Sequence, residues 1–230
     1  MRHPDQPELG DQVAAFEVAA LEQKAVPSEH YDDEYFASDW RESDNRYDLD
    51  TRRRIEDRNP RLIREVFAPV KALDVGCGPG FLMQFLHELG VDVHGIDYAE
   101  ASRDLAPSDV RGRILIGSVT EPHVEPQSHD LVICREVLEH MTVVEVHATV
   151  HEICRASSRY AYVTTRFHPE PAGLLDFTTQ FHVDPSHITL LAKDFLRVLF
   201  VLEGFRRRAD LEEQMDWGEK NRVLVYERTV

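Results

Sequence analysis

The chain has 230 residues and a formal net charge of −16, with 26 Lys and Arg against 42 Asp and Glu. This charge argues against non-specific nucleic-acid binding, because cationic side chains that neutralise phosphates supply most of that affinity. The length fits one large domain, and the sequence has no apolar run of the roughly 18 residues that a transmembrane helix needs. The first residues lack the apolar core of a signal peptide, so we expect a cytoplasmic protein with no membrane partner.

The three cysteines, Cys77, Cys134 and Cys154, are far apart and form no Cys-x-x-Cys pair. Reduced thiols are therefore expected rather than a disulfide framework or a cysteine zinc site. His147 and His151 have the spacing of half a zinc site, with Cys154 three residues further on. The sequence offers no evident fourth ligand, so we interpret these histidines as the solvent-facing side of a helix.

The segment before the first predicted strand divides into a tail, a cap and a helix. Residues 1–27 are polar and predict a flexible tail, in which VAAFEVAALEQKA is able to form one short amphipathic helix. Residues 28–48 mix acids with aromatic rings and suggest a cap that closes over a site; an acidic surface segment is the alternative. Residues 50–69 predict a helix that Pro60 kinks or splits. Together, residues 28–69 form a predicted N-terminal cap and helix.

Residues 70–230 alternate between short apolar strands and helices, which predicts an α/β domain with a mostly parallel sheet and helices on both faces. The predicted strands are KALDV, VDVHGID, GRILIGS, HDLVICR, RYAYVTT, FRRRADLEE and NRVLVYERT. The predicted helices are GFLMQFLHELG, YAEASRDLA, EVLEHMTVVEVHATVHEIC and TLLAKDFLRVLFVLEGF. Residues 166–188 have no clear period, and we expect this insertion after the fifth strand to cover the substrate.

The stretch LDVGCGPG, which ends the first predicted strand, contains Gly76, Gly78 and Gly80. Glycines allow a tight turn and a close approach of a ligand to the backbone, and the N–H groups that start the next helix face that ligand. Asp74 precedes the loop, and Asp97 ends the second predicted strand. A carboxylate at the position of Asp97 is able to accept hydrogen bonds from both hydroxyls of a ribose. The pattern therefore predicts a nucleoside-containing ligand at the carboxyl ends of the strands.

Three segments, LDVGCGPG, VHGID and HDLVICREVLEHM, resemble in order and separation the successive motifs of class I S-adenosylmethionine-dependent methyltransferases. The resemblance covers about residues 60–230 and is closest to the small-molecule type 11/12 branch. It implies a Rossmann-like sheet of seven strands and S-adenosylmethionine as the cofactor. It also implies that the cofactor carries the hard chemistry, while the protein binds and orients the reactants.

The resemblance also implies a role for individual residues. Gly76, Cys77 and Gly78 are expected beneath the methionine part of the cofactor, whose ammonium Asp74 orients, and Arg135 lines the same amino-acid end. The remaining expected contacts are Asp97 to the ribose, Tyr98 along the adenine, Ser118 and Val119 at the adenine amino group, and Tyr31 and Tyr35 from the cap. Ser118 departs from the family, which often has Asp there.

The segment REVLEHM places Glu136, Glu139 and His140 at i, i+3 and i+4, which on a helix share one face. It resembles the Glu-x-x-Glu-His of ubiquinone-pathway O-methyltransferases and of small-RNA 3′-terminal 2′-O-methyltransferases, where these positions bind a metal. With His187, the group is a candidate site for a divalent metal such as Mg²⁺. Alternatively, His140 is a general base, with Glu136 and His187 as further candidate catalytic residues. A packing element without metal is the third interpretation.

These expectations combine into a methyltransferase that acts on a small-molecule hydroxyl or amine, with O-methylation of a sugar or natural product favoured. A metal-dependent RNA 2′-O-methyltransferase and a cofactor-binding protein without catalysis are the alternatives. The sequence does not choose between a monomer and a homodimer. We expect the histidines and aromatic rings of the insertion to select the acceptor or to pin the loop; they are Phe167, His168, Phe177, Phe181 and His182.

Overall fold

The alternation of strands and helices builds a central sheet in the computed structural model, which describes residues 9–37, 48–178 and 184–229. Its strands are β1 (Lys71–Val75), β2 (Asp92–Asp97), β3 (Ile114–Ile116), β4 (His129–Arg135), β5 (Ser157–Thr164), β8 (Phe205–Arg207) and β9 (Val223–Arg228). Within the described residues the order is β3-β2-β1-β4-β5-β9-β8. The first five strands are parallel, and β9 runs antiparallel to β5 and β8. A separate antiparallel pair joins β6 (Phe177–Thr178) to β7 (Leu190–Leu191).

Helices cover both faces of the sheet, as predicted for a parallel α/β domain. They are α1 (Leu9–Glu22), α2 (Asp33–Ala37), α3 (Leu49–Glu56), α4 (Arg58–Phe67), α5 (Phe81–Glu88), α6 (Glu100–Asp104), α7 (Ser108–Arg111), α8 (Val143–Ala156), α9 (Lys193–Leu202) and α10 (Ala209–Met215). One core contains Val146 of α8 and Phe200 of α9. The other contains Ile63 of α4 and Met83 of α5. No described helix has the length and apolar composition required to cross a membrane.

Residues 9–22 form the helix α1, which overlaps the helix predicted within VAAFEVAALEQKA. Phe16 makes edge contacts with Phe177 and Phe195, at ring-centroid distances of 5.8 and 5.6 Å. The Gln23 side chain donates to the Ile188 carbonyl and accepts from the Val143 N–H. These contacts dock residues 16–23 on the domain.

Three predicted elements have different bounds in the structure. The helix predicted at 50–69 is two helices that meet at Asp57, three residues before Pro60. The strand predicted as FRRRADLEE ends at Arg207, and the helix α10 follows, with its Glu212 carboxylate 2.6 Å from the Arg207 guanidinium. The helix predicted to start at Glu136 starts at Val143, where Thr142 and Glu145 form a reciprocal capping box.

Candidate active site

A cavity of about 770 Å³ opens at the carboxyl ends of the parallel strands. This edge is where ligands bind in open α/β sheets, because the loops and helix N-termini converge there. The loops that follow β1, β2, β4 and β5 contribute walls, and Tyr31, Tyr35 and Phe36 of the amino-terminal segment contribute to the lining. The cavity therefore brings together the candidate residues from both halves of the sequence.

The glycine loop forms one wall of this cavity. Gly76, Gly78 and Gly80 all have positive φ angles, 68°, 52° and 69°, which favour glycine. A Cβ atom at Gly76 would lie 2.5 Å from Val137 Cγ2, so no side chain fits there without movement. The N–H groups of Gly76 and Cys77 donate to the Ile96 carbonyl, which fixes the loop against β2. The loop thus presents bare backbone to the cavity.

Two buried carboxyls accompany the loop. Burial raises the pKa of Asp74 from 3.8 to about 7, although the nearby Arg135 guanidinium opposes the rise. Burial also raises the pKa of Asp97, against hydrogen bonds from the Ala99 and Gly78 N–H groups at 3.0 and 2.8 Å. A ligand that brings a positive charge or a hydroxyl group would stabilise the ionised form of such a buried acid. Asp97 also organises the glycine loop through Gly78.

Aromatic residues of the amino-terminal segment pack beside the end of β2. Tyr31 is buried and lies at ring-centroid distances of 4.8 Å from Tyr35 and 5.7 Å from Tyr98. Tyr98 is 39% exposed, and its hydroxyl donates to the Val26 carbonyl. Val26, Tyr31, Tyr35 and Phe36 therefore line this end of the cavity. Residues 38–47 lie outside the described part of the chain.

Ser118 and Val119 both line the cavity after β3. The Ser118 hydroxyl lies 2.7 Å from the Thr120 hydroxyl, and its carbonyl is 2.8 Å from His123 Nε2. Val119 is buried. The two residues thus lie at the edge of the cavity next to β2, where the resemblance expects the adenine.

Arg135 belongs to a compact ion-pair group at the end of β4. Glu56 lies 3.1 Å from Arg135 and 2.7 Å from Arg52. Burial raises the pKa of Glu56, but the two guanidiniums outweigh burial and hold it below its ordinary value. The charge of Glu56 in turn helps to raise the pKa of Arg135 against burial, so the Arg135 guanidinium stays charged near Asp74. Sequence reasoning missed Arg52 and Glu56, which α3 carries from a region interpreted only as a helix.

The turn after β4 separates residues that were expected on one helix face. Glu136 has a positive φ of 54°, and Leu138–His140 form a short 3₁₀ turn. Glu139 consequently points inward, where it is fully buried and accepts a 2.7 Å hydrogen bond from Thr165 Oγ1. Burial, with a contribution from Glu136, raises its pKa to about 8. The predicted shared face of Glu136, Glu139 and His140 is therefore wrong, because the α-helix starts only at Val143.

His140 instead meets residues from the end of the insertion. Its Nδ1 lies 2.9 Å from Ser186 Oγ and 3.1 Å from the Tyr31 hydroxyl. Ser186 Oγ donates to Asp184 Oδ1 at 2.6 Å, and Asp184 Oδ2 lies 3.7 Å from His187 Nε2. The His140 and His187 rings pack edge to face at 4.5 Å. These contacts form the histidine cluster: His140, Asp184, Ser186 and His187.

Within the described residues, the metal-type donors that converge are His140, Asp184 and His187, with ligand atoms within 4.8 Å of one another. His187 was expected in such a group, whereas Asp184 was missed. Glu136 and Glu139 do not join it, so the predicted four-residue set is not assembled. His147 and His151 are exposed, and His151 pairs with Glu203, so these two histidines lie on the solvent-facing side of α8, as expected. Cys154 is buried and faces the other way.

Glu136 lies near two arginines, on the side of the cavity next to β5 and β9. Its Oε2 lies 3.8 Å from Arg166 Nε and 3.6 Å from an Arg222 terminal nitrogen. Both arginines line the cavity. Arg166 begins the insertion and Arg222 precedes the last strand, so no local pattern in the sequence joins them.

Phe167 and Phe177, in the described part of the insertion, pack against neighbouring elements. Phe177 packs on Phe16, and the Lys193 ammonium lies 5.1 Å from the centre of the Phe167 ring. The His168 N–H donates to the Leu191 carbonyl. These contacts match the interpretation in which the rings pin the loop. Phe181 and His182 lie outside the described residues.

Residues 73–162, from β1 into β5, match the type-11 family described as "Methyltransferase domain". Together with the sheet order and the glycine loop, this match defines a class I S-adenosylmethionine-dependent methyltransferase fold. The predicted fold class and family resemblance are confirmed.

Named relatives are similar over part of their length. A ubiquinone biosynthesis O-methyltransferase of Idiomarina loihiensis is 40% identical over 77 residues, which is 31% of this chain and 32% of the relative. That of Rhodopseudomonas palustris is 34% identical over 94 residues, or 38% and 36% of the two chains. The alignments thus span about a third of these curated relatives.

Solved structures show the same fold at low sequence identity. A SAM-dependent methyltransferase from Archaeoglobus fulgidus has a TM-score of 0.60 at 14% identity, covering 77% of this chain and 94% of that one. Magnesium protoporphyrin IX methyltransferase from Synechocystis, solved with bound SAM, has a TM-score of 0.59 at 16% identity, covering 90% and 100%.

Proposed function

We propose that the chain is an S-adenosylmethionine-dependent O-methyltransferase that acts on a hydroxyl of a small sugar or natural-product acceptor. The observation that carries the proposal is one cavity with a bare glycine loop and two buried acids at one end and a histidine cluster at the other. The printed activity of the partial-length relatives, an O-methyltransferase, supports oxygen over nitrogen as the methylated atom.

The residues of the first end fit the cofactor. Asp74 is a suitable partner for its ammonium, Asp97 for its ribose hydroxyls, and the Gly76–Gly80 backbone for close approach of its methionine part. Arg135 faces the same end and suits the carboxylate. When bound, S-adenosylmethionine supplies a methyl carbon that its sulfonium has already activated.

His140 is the proposed general base. Ser186 has a single hydroxyl proton, which it donates to Asp184, so its oxygen accepts from Nδ1–H of His140. That tautomer makes Nε2 the basic nitrogen, which takes the proton of the acceptor hydroxyl as oxygen attacks the methyl carbon. Asp184 acts as a positioning residue, because it orients His140 through Ser186.

A divalent metal held by His140, Asp184 and His187 is the second candidate way to activate the hydroxyl, since these donors converge. An imidazole pair with one carboxylate suits a first-row divalent ion better than Mg²⁺, which prefers oxygen ligands. Chelation separates the two arrangements: a general base keeps its turnover in EDTA, whereas a metal site loses it and regains it with added Mn²⁺ or Zn²⁺.

The function is tested by product formation across matched hydroxyl and amine acceptors, with S-adenosylhomocysteine binding measured in parallel. His140→Asn should lower kcat by about 10²- to 10⁴-fold, the usual contribution of a general base, and leave binding of S-adenosylhomocysteine unchanged. Asp184→Asn should shift the pH profile of kcat rather than abolish turnover. Cofactor binding without turnover on any acceptor would instead support a non-catalytic protein.

A further inference from the structure

The Tyr31 hydroxyl reaches the proposed general base from the amino-terminal part of the chain. It lies 3.1 Å from Nδ1 of His140, which is 109 residues further along the sequence. The Tyr31 ring also packs edge to face on the His140 ring, with a centroid distance of 5.7 Å and an interplanar angle of 76°. Tyr31 is buried, and a hydrogen bond is electrostatically stronger where the protein excludes water.

Both Tyr31 and Ser186 are placed to bind the proton on Nδ1 of His140. The Ser186 hydroxyl oxygen and the Tyr31 hydroxyl oxygen lie 2.9 and 3.1 Å from this nitrogen. Ser186 donates its single proton to Asp184, so in the proposed tautomer Nδ1 carries the proton and both oxygens accept it. The Tyr31 proton is then available to Ser186, which is also a hydrogen-bond partner of the Tyr31 hydroxyl. An N–H shared between two fixed oxygens holds the ring in one orientation.

Neighbouring rings fix the position of Tyr31 itself. The rings of His30, Tyr35 and Tyr98 lie at centroid distances of 5.1, 4.8 and 5.7 Å from that of Tyr31. The Tyr98 hydroxyl in turn donates to the Val26 carbonyl at 2.9 Å. These contacts involve the ring and the backbone rather than the Tyr31 hydroxyl, so a phenylalanine at position 31 retains them. The hydroxyl group can therefore be removed without undocking this part of the chain.

We propose that Tyr31 is a positioning residue that holds His140 in its productive orientation, an inference that rests on the proposed function. This role differs from the cofactor contact that the sequence resemblance implies for Tyr31. A cofactor contact acts on binding, whereas a positioning residue acts on the chemical step through the group that it orients. A displacement of about 1 Å at a reacting group is able to lower a rate by about 10²-fold. The amino-terminal part of the chain thus takes part in the chemical step.

A double-mutant cycle on kcat tests whether Tyr31 acts through His140. Tyr31→Phe should lower kcat by about 5- to 100-fold, and leave the Kd of S-adenosylhomocysteine and the free energy of unfolding in urea unchanged. In the His140→Asn background the same substitution should leave the residual kcat unchanged, because the imidazole that it orients is already absent. Tyr160→Phe is the matched control, since Tyr160 is a buried residue of β5 that does not line the cavity. It should leave kcat unchanged in both backgrounds.

A spectroscopic measurement tests the contact independently of turnover. In protein whose histidines carry ¹⁵N, the ring-nitrogen resonances of His140 are assigned by their absence from His140→Asn. Tyr31→Phe should shift the Nδ1 resonance, because this nitrogen loses a hydrogen-bond partner. Tyr160→Phe should leave the same resonance in place.

A wild-type kcat in Tyr31→Phe, or an unshifted His140 resonance, would overturn the inference and leave the proposed function intact. Weaker binding of S-adenosylhomocysteine at an unchanged kcat would make Tyr31 a cofactor contact instead. An equal loss of kcat in the wild-type and His140→Asn backgrounds would also overturn the inference, because the effect would not pass through the imidazole. Absence of wild-type turnover on every acceptor would overturn the proposed function and the catalytic role of Tyr31 together.

Discussion

The proposed contact between Asp74 and the cofactor ammonium predicts that cofactor binding depends on pH. Its pKa of about 7 means that the carboxyl is largely neutral at pH 6, yet an ammonium ligand requires the carboxylate. Binding of S-adenosylhomocysteine should therefore release a proton at pH 6 and tighten by up to about tenfold as pH rises to 7 and above. Calorimetry in buffers of different ionisation enthalpy measures both effects. Asp74→Asn should bind weakly at every pH, and wild-type affinity that is flat between pH 6 and 8 would contradict the role.

The raised pKa of Asp74 also makes the free energy of unfolding depend on pH. Because burial raises the pKa of Asp74 in the folded state from 3.8 to about 7, the folded chain holds a proton that the unfolded chain has released between these values. The contribution of Asp74 to the free energy of unfolding is therefore full below about pH 4 and is lost as pH rises to 7. Above pH 7 the buried carboxylate remains a cost that a bound cation removes.

Glu139 provides a sharp test of the metal-ligand interpretation. Burial keeps its carboxyl neutral near pH 7, with Thr165 as hydrogen-bond donor. Glu139→Gln keeps the shape and an acceptor oxygen, so we expect a change in unfolding free energy within about 1 kcal/mol and an unchanged kcat. Denaturant unfolding and turnover assays check this. A loss of turnover that added metal rescues would show instead that Glu139 holds an ion.

At the scale of elements, Gln23 connects three segments that do not neighbour one another in sequence. Its side-chain nitrogen donates to Ile188 O and Thr189 Oγ1, at 3.1 and 2.7 Å, and its oxygen accepts from Val143 N at 2.8 Å. Gln23→Ala should therefore lower the unfolding free energy by about 1–3 kcal/mol, because these backbone groups lose partners. It should also raise the KM of the acceptor more than the Kd of S-adenosylhomocysteine, since Asp184, Ser186 and His187 of the histidine cluster directly precede Ile188.

Glu22→Ala is the matched control, because the exposed Glu22 ends α1 next to Gln23. Urea unfolding and kinetic measurements on both variants decide the outcome. If the two variants have equal unfolding free energies and equal KM, Gln23 does not hold Ile188 and Thr189 in place.

The sequence predicted the strands and helices correctly where the periodic pattern of apolar residues is sufficient to define them. The strands from KALDV to RYAYVTT and the helices between them follow from apolar runs and glycine boundaries, which act within a few residues. The helix after β4 was started too early, although the sequence carried its start signal, a capping box from Thr142 to Glu145. The positive φ of Glu136 has no such signal, because the residue is not a glycine.

At the scale of the molecule, the candidate site was predictable only where motifs are local. The glycine loop, Asp74, Asp97 and His140 lie in or beside short patterns, and each lines the cavity. Asp184 and Ser186 reach His140 across more than forty residues, and Arg166 meets Arg222 only because β9 inserts antiparallel beside β5. Such contacts depend on strand pairing and loop packing, which local periodicity does not encode.

The central claim is that the Gly76–Gly80 loop and Asp97 bind an adenosyl cofactor, and calorimetric titration with S-adenosylhomocysteine tests it most directly. The wild-type chain should bind one equivalent. Asp97→Asn keeps one acceptor oxygen for the glycine loop and should bind about 5- to 150-fold more weakly, the loss for one to two buried hydrogen bonds. A wild-type chain that gives no binding heat at several temperatures, or an Asp97→Asn variant with unchanged affinity, would contradict the account.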